Sequence, residues 1–335
     1  MIPLANYHCQ LGNLRWDVIE KDLKALCNRA NISYLDGIPR ILPETKFDKI
    51  LAIYKFDIIS IESIKQWNSQ CTKSGQQMVV LCDALFDNNI EFDHVKVIST
   101  PELLGLSSEH DADFLPVQPK KLYNCFMQRI DPVRQSWFYN LYNSNLLDKG
   151  FVNFLLYQMP GSQLSSARDL FDYNHKLGEL YNLEKFQLAY EHLKNKIPYR
   201  NFEDLEDLTP YILNSKYSLV LETYAVDDSI VTKYISEKTI RALNLPGIDL
   251  IFCQKNCLSQ LIKHGIYIND DLLKIDNENW QTRQQKILSL LTNDNLEYNI
   301  DELVDRCHQN RSVFRNWYFK IKDMKFYEKF IDELR

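Results

Sequence analysis

One stretch of the chain alternates between strand and helix patterns, and this alternation limits the folds that the chain can adopt. Residues 217–265 run from an apolar strand pattern through a loop into a helix pattern that opens with Ser236 and Glu237. A second apolar strand pattern, 249–253, and a second helix pattern follow. Strands that alternate with helices favour a parallel sheet with helices on its faces. The stretch therefore predicts an α/β fold.

The same alternation occurs on both sides of a polar segment at residues 107–119. Further strand patterns lie at 51–61, 77–83, 94–100, 122–128 and 151–157. A chain of 335 residues is also long for one domain. We therefore expect two Rossmann-like domains, 1–116 and 117–300, with a helical insertion near 164–196. The aromatic helical segment 301–335 packs either back on the first domain or only on the second domain, which it follows.

The composition excludes several classes of protein. The net charge is -6, and no basic stripe of the kind that binds nucleic acid is visible. The first residues lack the basic and apolar regions of a signal peptide, and no apolar run approaches the ~18 residues of a membrane-spanning helix. We therefore expect a soluble cytoplasmic protein that has no nucleic-acid partner and no integral membrane segment.

Glycine-rich loops and metal-binding patterns are missing from the sequence. The chain has 9 glycines, and neither a dinucleotide-binding fingerprint nor a P-loop is present, which weakens a dehydrogenase, kinase or epimerase hypothesis. Cys253 and Cys257 lack a second Cys/His pair at zinc spacing. Adjacent acids such as Asp227 and Asp228 are typical of a solvated turn. No metal site is predicted, and free thiols are expected.

Two blocks of sequence resemble a known family. The triplets Leu221-Glu222-Thr223 and Ser236-Glu237-Lys238, within the run from Ile235 to Thr239, are similar to the strand end and helix start of α-1,3-fucosyltransferase-like glycosyltransferases, closest to a poorly characterised bacterial and viral branch. Residues 122–154 resemble the strand, Arg-bearing helix and Gly-strand that open the donor domain in this group. Together the resemblance covers about half of the chain.

The resemblance implies a GT-B-type arrangement of the two domains. It implies transfer of a sugar from a nucleotide-diphosphate donor, GDP-fucose being the nearest precedent, with inversion and without an essential metal or other cofactor. The acceptor would be a glycan, a lipid-linked sugar or a protein. The segment from Asn244 to Asp249 departs from the family pattern, and this leaves the donor sugar open.

Three cations are candidates for binding the donor diphosphate. Arg134 matches the arginine that the resembling transferases direct at the diphosphate, and a guanidinium can bind two phosphate oxygens at once. Lys238 matches the lysine of the Glu-Lys pair. Arg241 lies one helical turn beyond Lys238 and faces either the same crevice or solvent.

Two carboxylates and a hydroxyl complete the predicted donor site. Glu237 matches the acid that binds ribose hydroxyls in the resembling enzymes, and Glu222 at the strand end is expected to face the same crevice. The alternative for Glu237 is an acid that only stabilises the first turn of a helix. Ser236 is expected to cap that helix under either interpretation.

The catalytic base is expected from the first domain, across the cleft. Glu62 and Asp83 follow apolar strand patterns, and Glu102 lies just beyond one. The sequence does not choose among these three. A competing hypothesis is a non-catalytic interaction protein that keeps the transferase fold, in which the same motifs serve only as a capped helix, a salt bridge and a buried strand.

Overall fold

The computed structural model describes most of the chain. The described residues are 10–37, 42, 46–55, 59–86, 89–107, 117–127, 132–154, 209–222, 225 and 233–334. The helical insertion expected near 164–196, the Asp227-Asp228 pair and Thr223 lie outside these ranges.

The first sheet has five strands in the order β1-β2-β3-β5-β4. Its elements are α1 Gln10–Arg29, β1 Ser33–Asp36, β2 Lys49–Tyr54, α2 Ile61–Ser74, β3 Gln77–Cys82, β4 Ile90–Glu91, β5 Val95–Ser99 and a 3-10 helix, Pro101–Ser107. β1, β2, β3 and β5 pair in parallel, and only β4 is antiparallel. The parallel strands β2 and β3 are almost wholly buried, as expected for a sheet covered on both faces.

The second sheet has four parallel strands in the order β7-β6-β8-β9. Its elements are β6 Lys121–Met127, α3 Pro132–Asn143, a 3-10 helix Leu147–Lys149, β7 Gly150–Phe154, α4 Thr209–Leu213, β8 Ser215–Leu221, α5 Glu237–Leu243 and β9 Ile248–Phe252. Two mainly parallel sheets with helices between their strands confirm the predicted α/β class.

One predicted strand is wrong at its carboxyl end. The apolar run 51–61 was expected to be strand throughout, yet β2 ends at Tyr54 and Ile61 already begins α2. Ser60 explains the helix start, because its side chain accepts a hydrogen bond from the backbone N–H of Ser63 at 3.1 Å. An apolar run alone does not separate a strand from the first turn of a buried helix.

Five helices follow the second sheet along the chain. They are α6 Cys257–Lys263, α7 Asp270–Leu273, α8 Trp280–Asn293, α9 Ile300–Lys322 and α10 Lys325–Leu334. Asparagine side chains cap several of them: Asn279 accepts from the N–H of Thr282, and Asn299 accepts from that of Glu302. The last two helices form the aromatic C-terminal segment noted in the sequence.

The C-terminal segment connects the two sheets. Phe314 of α9 belongs to the core of the second sheet, whereas Ile321, at the other end of the same helix, belongs to a core of the first. In α10, Tyr327 and Phe330 pack in that first-sheet core with β2 and β3 residues such as Leu51. α10 therefore covers the first sheet although it follows the second, and each buried side chain contributes about 1.5–3 kcal/mol to holding it there.

A close backbone approach marks the junction between the sheets. A Cβ atom on Gly105 would lie 2.7 Å from the backbone nitrogen of Tyr318, so only glycine allows the first 3-10 helix to touch α9 this closely. Nearby, Leu85 beyond β3 and Lys233 before α5 exchange two backbone hydrogen bonds, of 2.7 and 2.9 Å. The carboxyl end of β3 is thereby tied to the loop between β8 and α5.

Within the described ranges, no helix is both long enough and apolar enough to cross a membrane.

Candidate functional site

Glu222 lies at the carboxyl end of β8 and holds the start of α5. It is 2% exposed. Its Oε1 accepts hydrogen bonds from the backbone N–H of Ser236 at 2.9 Å, from the Ser236 hydroxyl at 2.9 Å and from the Thr239 hydroxyl at 2.5 Å. Burial raises the pKa of Glu222, while these bonds and the charge of Lys238 oppose the rise. Its described contacts therefore go to the helix, where the sequence had predicted a residue facing a ligand crevice.

The loop between β8 and α5 is attached to the protein at several points. Arg283 of α8 donates from Nη2 to the carbonyl of Ala225 at 2.8 Å, and it is buried next to the Phe252 ring. The Gln254 side chain accepts from the N–H of Tyr234 at 2.8 Å. The position of Arg283 in the sequence gives no sign that it contacts a loop some sixty residues earlier.

Lys238 and Arg241 line one groove beside α5. They are three residues apart, so both lie on the same side of the helix. The groove runs between α5, α4 and the face of β6 and β8, and it contains about 490 Å³ of open space including its mouth. Within the described part of the chain, no carboxylate pairs with Arg241. Arg241 therefore faces the same crevice as Lys238, which was one of the two alternatives that the sequence left open.

The floor of the groove is polar as well as apolar. Asn124 of β6 donates from Nδ2 to the carbonyl of Tyr217 and to the hydroxyl of Ser218, both at 3.2 Å. No donor among the described residues reaches its Oδ1, which is left as an acceptor at the floor. Phe126 lies on the same side of β6 and lines the groove with its ring. The groove thus combines two cations, an amide and an aromatic ring.

Arg134 lies away from this groove. It is 1% exposed in the first turn of α3, and its charge acts on the buried thiol of Cys125. Successive strand residues point to opposite faces, so Cys125 faces away from Asn124 and Phe126. α3 also packs on α8, where Ser136 bonds to Gln284. The structure therefore places Arg134 on the other face of the sheet from Lys238 and Arg241.

Ser236 caps α5 as predicted from the sequence. It has an extended backbone, and its Oγ accepts from the N–H of Lys238 at 3.3 Å. Glu237 is the first residue of the helix, and its side chain lies outside the described part of the structure. α5 has only seven residues, so its macrodipole is short and the side-chain cations supply most of the positive charge at this end.

The three base candidates of the first sheet occupy different environments. Glu62 is exposed in the first turn of α2. Asp83 directly follows β3 and is 1% exposed. Glu102 forms an ion pair with Lys320 of α9. Among the three, Glu62 is exposed, Glu102 is half-buried and Asp83 is buried.

A further charged cluster at the first sheet was missed by the sequence analysis. Lys55, directly after β2, lies 3.0 Å from an Asp36 carboxylate oxygen and 3.5 Å from the centroid of the Trp16 ring. Burial lowers the pKa of Lys55, while the bond to Asp36 and the charge of Asp83 oppose the fall. A sequence signal was available, since Lys55 and Asp36 stand at the carboxyl ends of adjacent strands.

No group of His, Cys, Asp and Glu that could hold a metal occurs among the described residues. Comparison of the chain with protein-family models, with curated proteins and with solved structures finds no match. The resemblance to glycosyltransferases therefore rests on the sequence motifs themselves.

Proposed function

We propose that the chain is a glycosyltransferase that moves a sugar from a nucleotide-diphosphate donor to a glycan, a lipid-linked sugar or a protein. By resemblance, the donor is GDP-linked and the reaction is inverting and independent of metal. The observation that supports this most directly is the pair Lys238 and Arg241 on one groove, next to the carboxyl end of β8. Ligands of open α/β sheets bind near the carboxyl ends of the strands.

The two cations are suited to a leaving diphosphate. Transfer of the sugar leaves negative charge on the phosphate oxygens, and positive groups placed there in advance stabilise that charge. The Arg241 guanidinium can donate to two phosphate oxygens at once, whereas Lys238 acts as a compact charge. The Glu222 anchor would hold α5 in place, so that both cations keep their positions during the reaction.

Arg134 takes a different part in this proposal from the one that the resemblance implies. Because it is buried on the opposite face, it would position the start of α3 rather than bind phosphate itself. The acceptor would approach from the first sheet, which the Leu85–Lys233 bonds tie to the donor loop. Glu62 is the exposed base candidate on that side.

A second candidate function, nucleotide binding without turnover, is favoured by one observation. Two carboxylates predicted to face the cleft are engaged elsewhere, since Glu222 anchors α5 and Glu102 pairs with Lys320. In a protein that kept the transferase fold but lost catalysis, such carboxylates would have only structural roles. Binding and turnover therefore need separate measurements.

Thermal-shift titrations with GDP, UDP, CDP, ADP and their common sugars test the binding step. We expect one nucleotide to raise the midpoint selectively, with a gain of about 2.7 kcal/mol at a hundred times its dissociation constant. Lys238→Ala and Arg241→Ala should each reduce the shift strongly. The matched controls Lys21→Ala and Arg315→Ala, which change exposed cations on other helices, should keep it. No shift with any nucleotide in folded protein would overturn both candidate functions.

Release of nucleotide diphosphate from the selected donor then tests turnover. We expect release in the presence of a glycan or lipid-linked acceptor, and a large loss of rate in Glu62→Gln with donor binding retained. Donor binding without release for any acceptor class would favour the non-catalytic protein. Full activity of Glu62→Gln would move the base to another residue.

A further inference from the structure

A second recess lies beside the amino end of β9, one strand over from Ser218 of the Lys238–Arg241 groove. It is bounded by the start of β9, the end of α5, the segment before α7 and one side of α9. Its polar lining residues are Asp249, Tyr267, Asn269, Arg306, Cys307 and Asn310. The enclosed part measures about 20 Å³, on a scale where one water needs about 10–15 Å³. It therefore accepts one or two polar atoms rather than a ring.

Asp249 presents an unsatisfied oxygen to this recess. Its Oδ1 is buried, and no donor in the described part of the chain reaches it. Strand register places Asp249 opposite Ser218, which in turn lies opposite Asn124, so the three side chains form a polar row on one face of the sheet. Asn124 and Ser218 bond to each other, whereas Asp249 at the end of the row does not share in this bond.

Arg306 presents an unsatisfied donor from the other side. One end of its guanidinium pairs with Glu302, one turn earlier on α9, and its face lies 4.6 Å from the centroid of the Tyr267 ring. These contacts hold the planar group in one orientation. Its Nε is buried and has no partner among the described residues.

The other polar groups of the recess already have partners. The Asn310 amide bonds to the backbone of Tyr267 through both its oxygen and its nitrogen. The Cys307 thiol donates to the carbonyl of Asn244 at 2.7 Å, and Asn269 caps α7. Buried polar atoms in native proteins almost always have partners. Two such atoms that face one recess therefore need partners from outside the protein, either ordered water or the polar atoms of a ligand.

We propose that this recess binds the carboxylate group of a small organic anion, held between Arg306 Nε and the Asp249 carboxyl. Arg306 would donate to one ligand oxygen, and Asp249 in its protonated form would donate to the other. The rest of the ligand would extend through the mouth of the recess. This site is separate from the proposed nucleotide site and does not depend on it.

The charges around the recess favour an anion near neutral pH. Burial raises the pKa of Asp249 to about 8, although the charge of Arg306 opposes the rise. Burial also raises the pKa of the Cys307 thiol to about 11, with Arg311 opposing the rise, so both acids are mainly neutral at pH 7. The charge of Arg306 is balanced by Glu302, and the charge of Arg311 on α9 acts on Cys307. The ligand carboxylate would thus meet donors and no uncompensated negative charge.

Saturation-transfer NMR of acetate methyl protons tests the proposal in the full-length protein. Acetate is titrated at constant ionic strength, with chloride as the balancing anion, at pH 6.5 and at pH 9.5. We expect saturable binding at pH 6.5 that weakens about tenfold for each pH unit above the Asp249 pKa of about 8. Acetate itself is ionised throughout this range.

Variants separate this site from non-specific association. Arg306→Lys keeps the charge but loses the Nε donor and should abolish binding, whereas Arg315→Lys, on the exposed side of the same helix, should not. Asp249→Asn keeps a donor without a titrating proton, and it should bind acetate equally at both pH values. Circular dichroism and the thermal midpoint establish that each variant is folded.

Three outcomes would overturn the proposal. They are a signal that does not saturate, a signal that survives Arg306→Lys, and an Asp249→Asn variant that follows the pH dependence of the wild type. The Asp249→Asn result alone suffices to decide, since this nearly isosteric change preserves the shape of the recess.

Discussion

The two ends of α5 place a carboxylate in opposite circumstances. Glu222, at the start of the helix, is buried and accepts three hydrogen bonds from Ser236 and Thr239. Asp249, near the end of the helix, has a buried oxygen to which none of the described residues donates. Burial raises the pKa of both groups. The difference teaches that a buried acid stabilises the fold only where donors surround it; without them it is a cost that a ligand could relieve.

The largest expected effect is that of substituting Glu222, whose carboxylate accepts hydrogen bonds from the start of α5. Glu222→Ala should lower the free energy of unfolding by about 3–4 kcal/mol, because it leaves the donors of Ser236 and Thr239 buried without an acceptor. Urea denaturation measures the loss. Glu222→Gln, which keeps an acceptor oxygen, should cost much less. If both variants lost the same free energy, the hydrogen bonds would not be the reason that Glu222 is buried.

The substitution Asp249→Asn should have the opposite effect and stabilise the protein at high pH. A native pKa of about 8, against an ordinary pKa of 3.8 for an aspartate, means that the native state of the wild type keeps a proton that the unfolded state has lost. This group therefore contributes a stability that falls as pH rises from about 4 through 8. Asp249→Asn should remove this fall, so its stability relative to that of the wild type should rise between pH 4.5 and pH 9.

Urea midpoints of the wild type and Asp249→Asn at pH 4.5, 7 and 9 measure this effect. The difference between the two proteins should be smallest at pH 4.5, just above the pKa of 3.8 in the unfolded chain, and should grow as the pH rises to 7 and 9. A constant difference at all three pH values would mean that the pKa of Asp249 is not raised by folding.

Substitutions in the groove beside α5 test whether the helix that Glu222 anchors also binds a ligand. Lys238→Ala and Arg241→Ala should each weaken binding of the selected nucleotide by about 1.5–3 kcal/mol, the range of a charge-assisted hydrogen bond, with little change in unfolding free energy. Isothermal titration calorimetry measures the affinity. An equal loss in Arg315→Ala would point to a general effect of net charge.

The smallest expected effect is that of removing one of the hydrogen bonds to Glu222. Thr239→Val removes one hydroxyl donor and should cost about 1 kcal/mol, while Thr239→Ser, which keeps the hydroxyl, should cost clearly less. Thermal and urea denaturation of both variants give the comparison. A larger loss in Thr239→Ser than in Thr239→Val would indicate that packing of the methyl group, rather than the hydrogen bond, stabilises this end.

Local signals in the sequence predicted local features of the structure. Ser236 caps α5, because the preference of a hydroxyl for an N-cap depends on a few neighbouring residues. The strand patterns predicted β3, β6 and β8 to within about two residues. The joint orientation of Lys238 and Arg241 was one of two alternatives, since helical spacing defines a shared side but not what that side contacts.

Features that depend on several distant segments were not predictable in this way. Arg283 reaches Ala225, and Arg306 reaches the recess next to Asp249, through packing of helices that no local pattern describes. The burial of Arg134 was also missed, because the same helix pattern fits an exposed arginine. The environment of a side chain depends on which elements pack together, and this packing brings together residues that are far apart in the sequence.

The sequence by itself determined the α/β class, most of the strands and the cap of α5, because hydrophobic periodicity and capping act over a few residues. Only the tertiary structure decided that α10 crosses to the first sheet and that Arg134 faces away from the Lys238–Arg241 groove. It also decided that Glu222 accepts three hydrogen bonds, while no residue in the described ranges donates to Asp249 Oδ1. These outcomes depend on strand order and helix packing, which bring residues far apart in the chain within a few ångströms of one another.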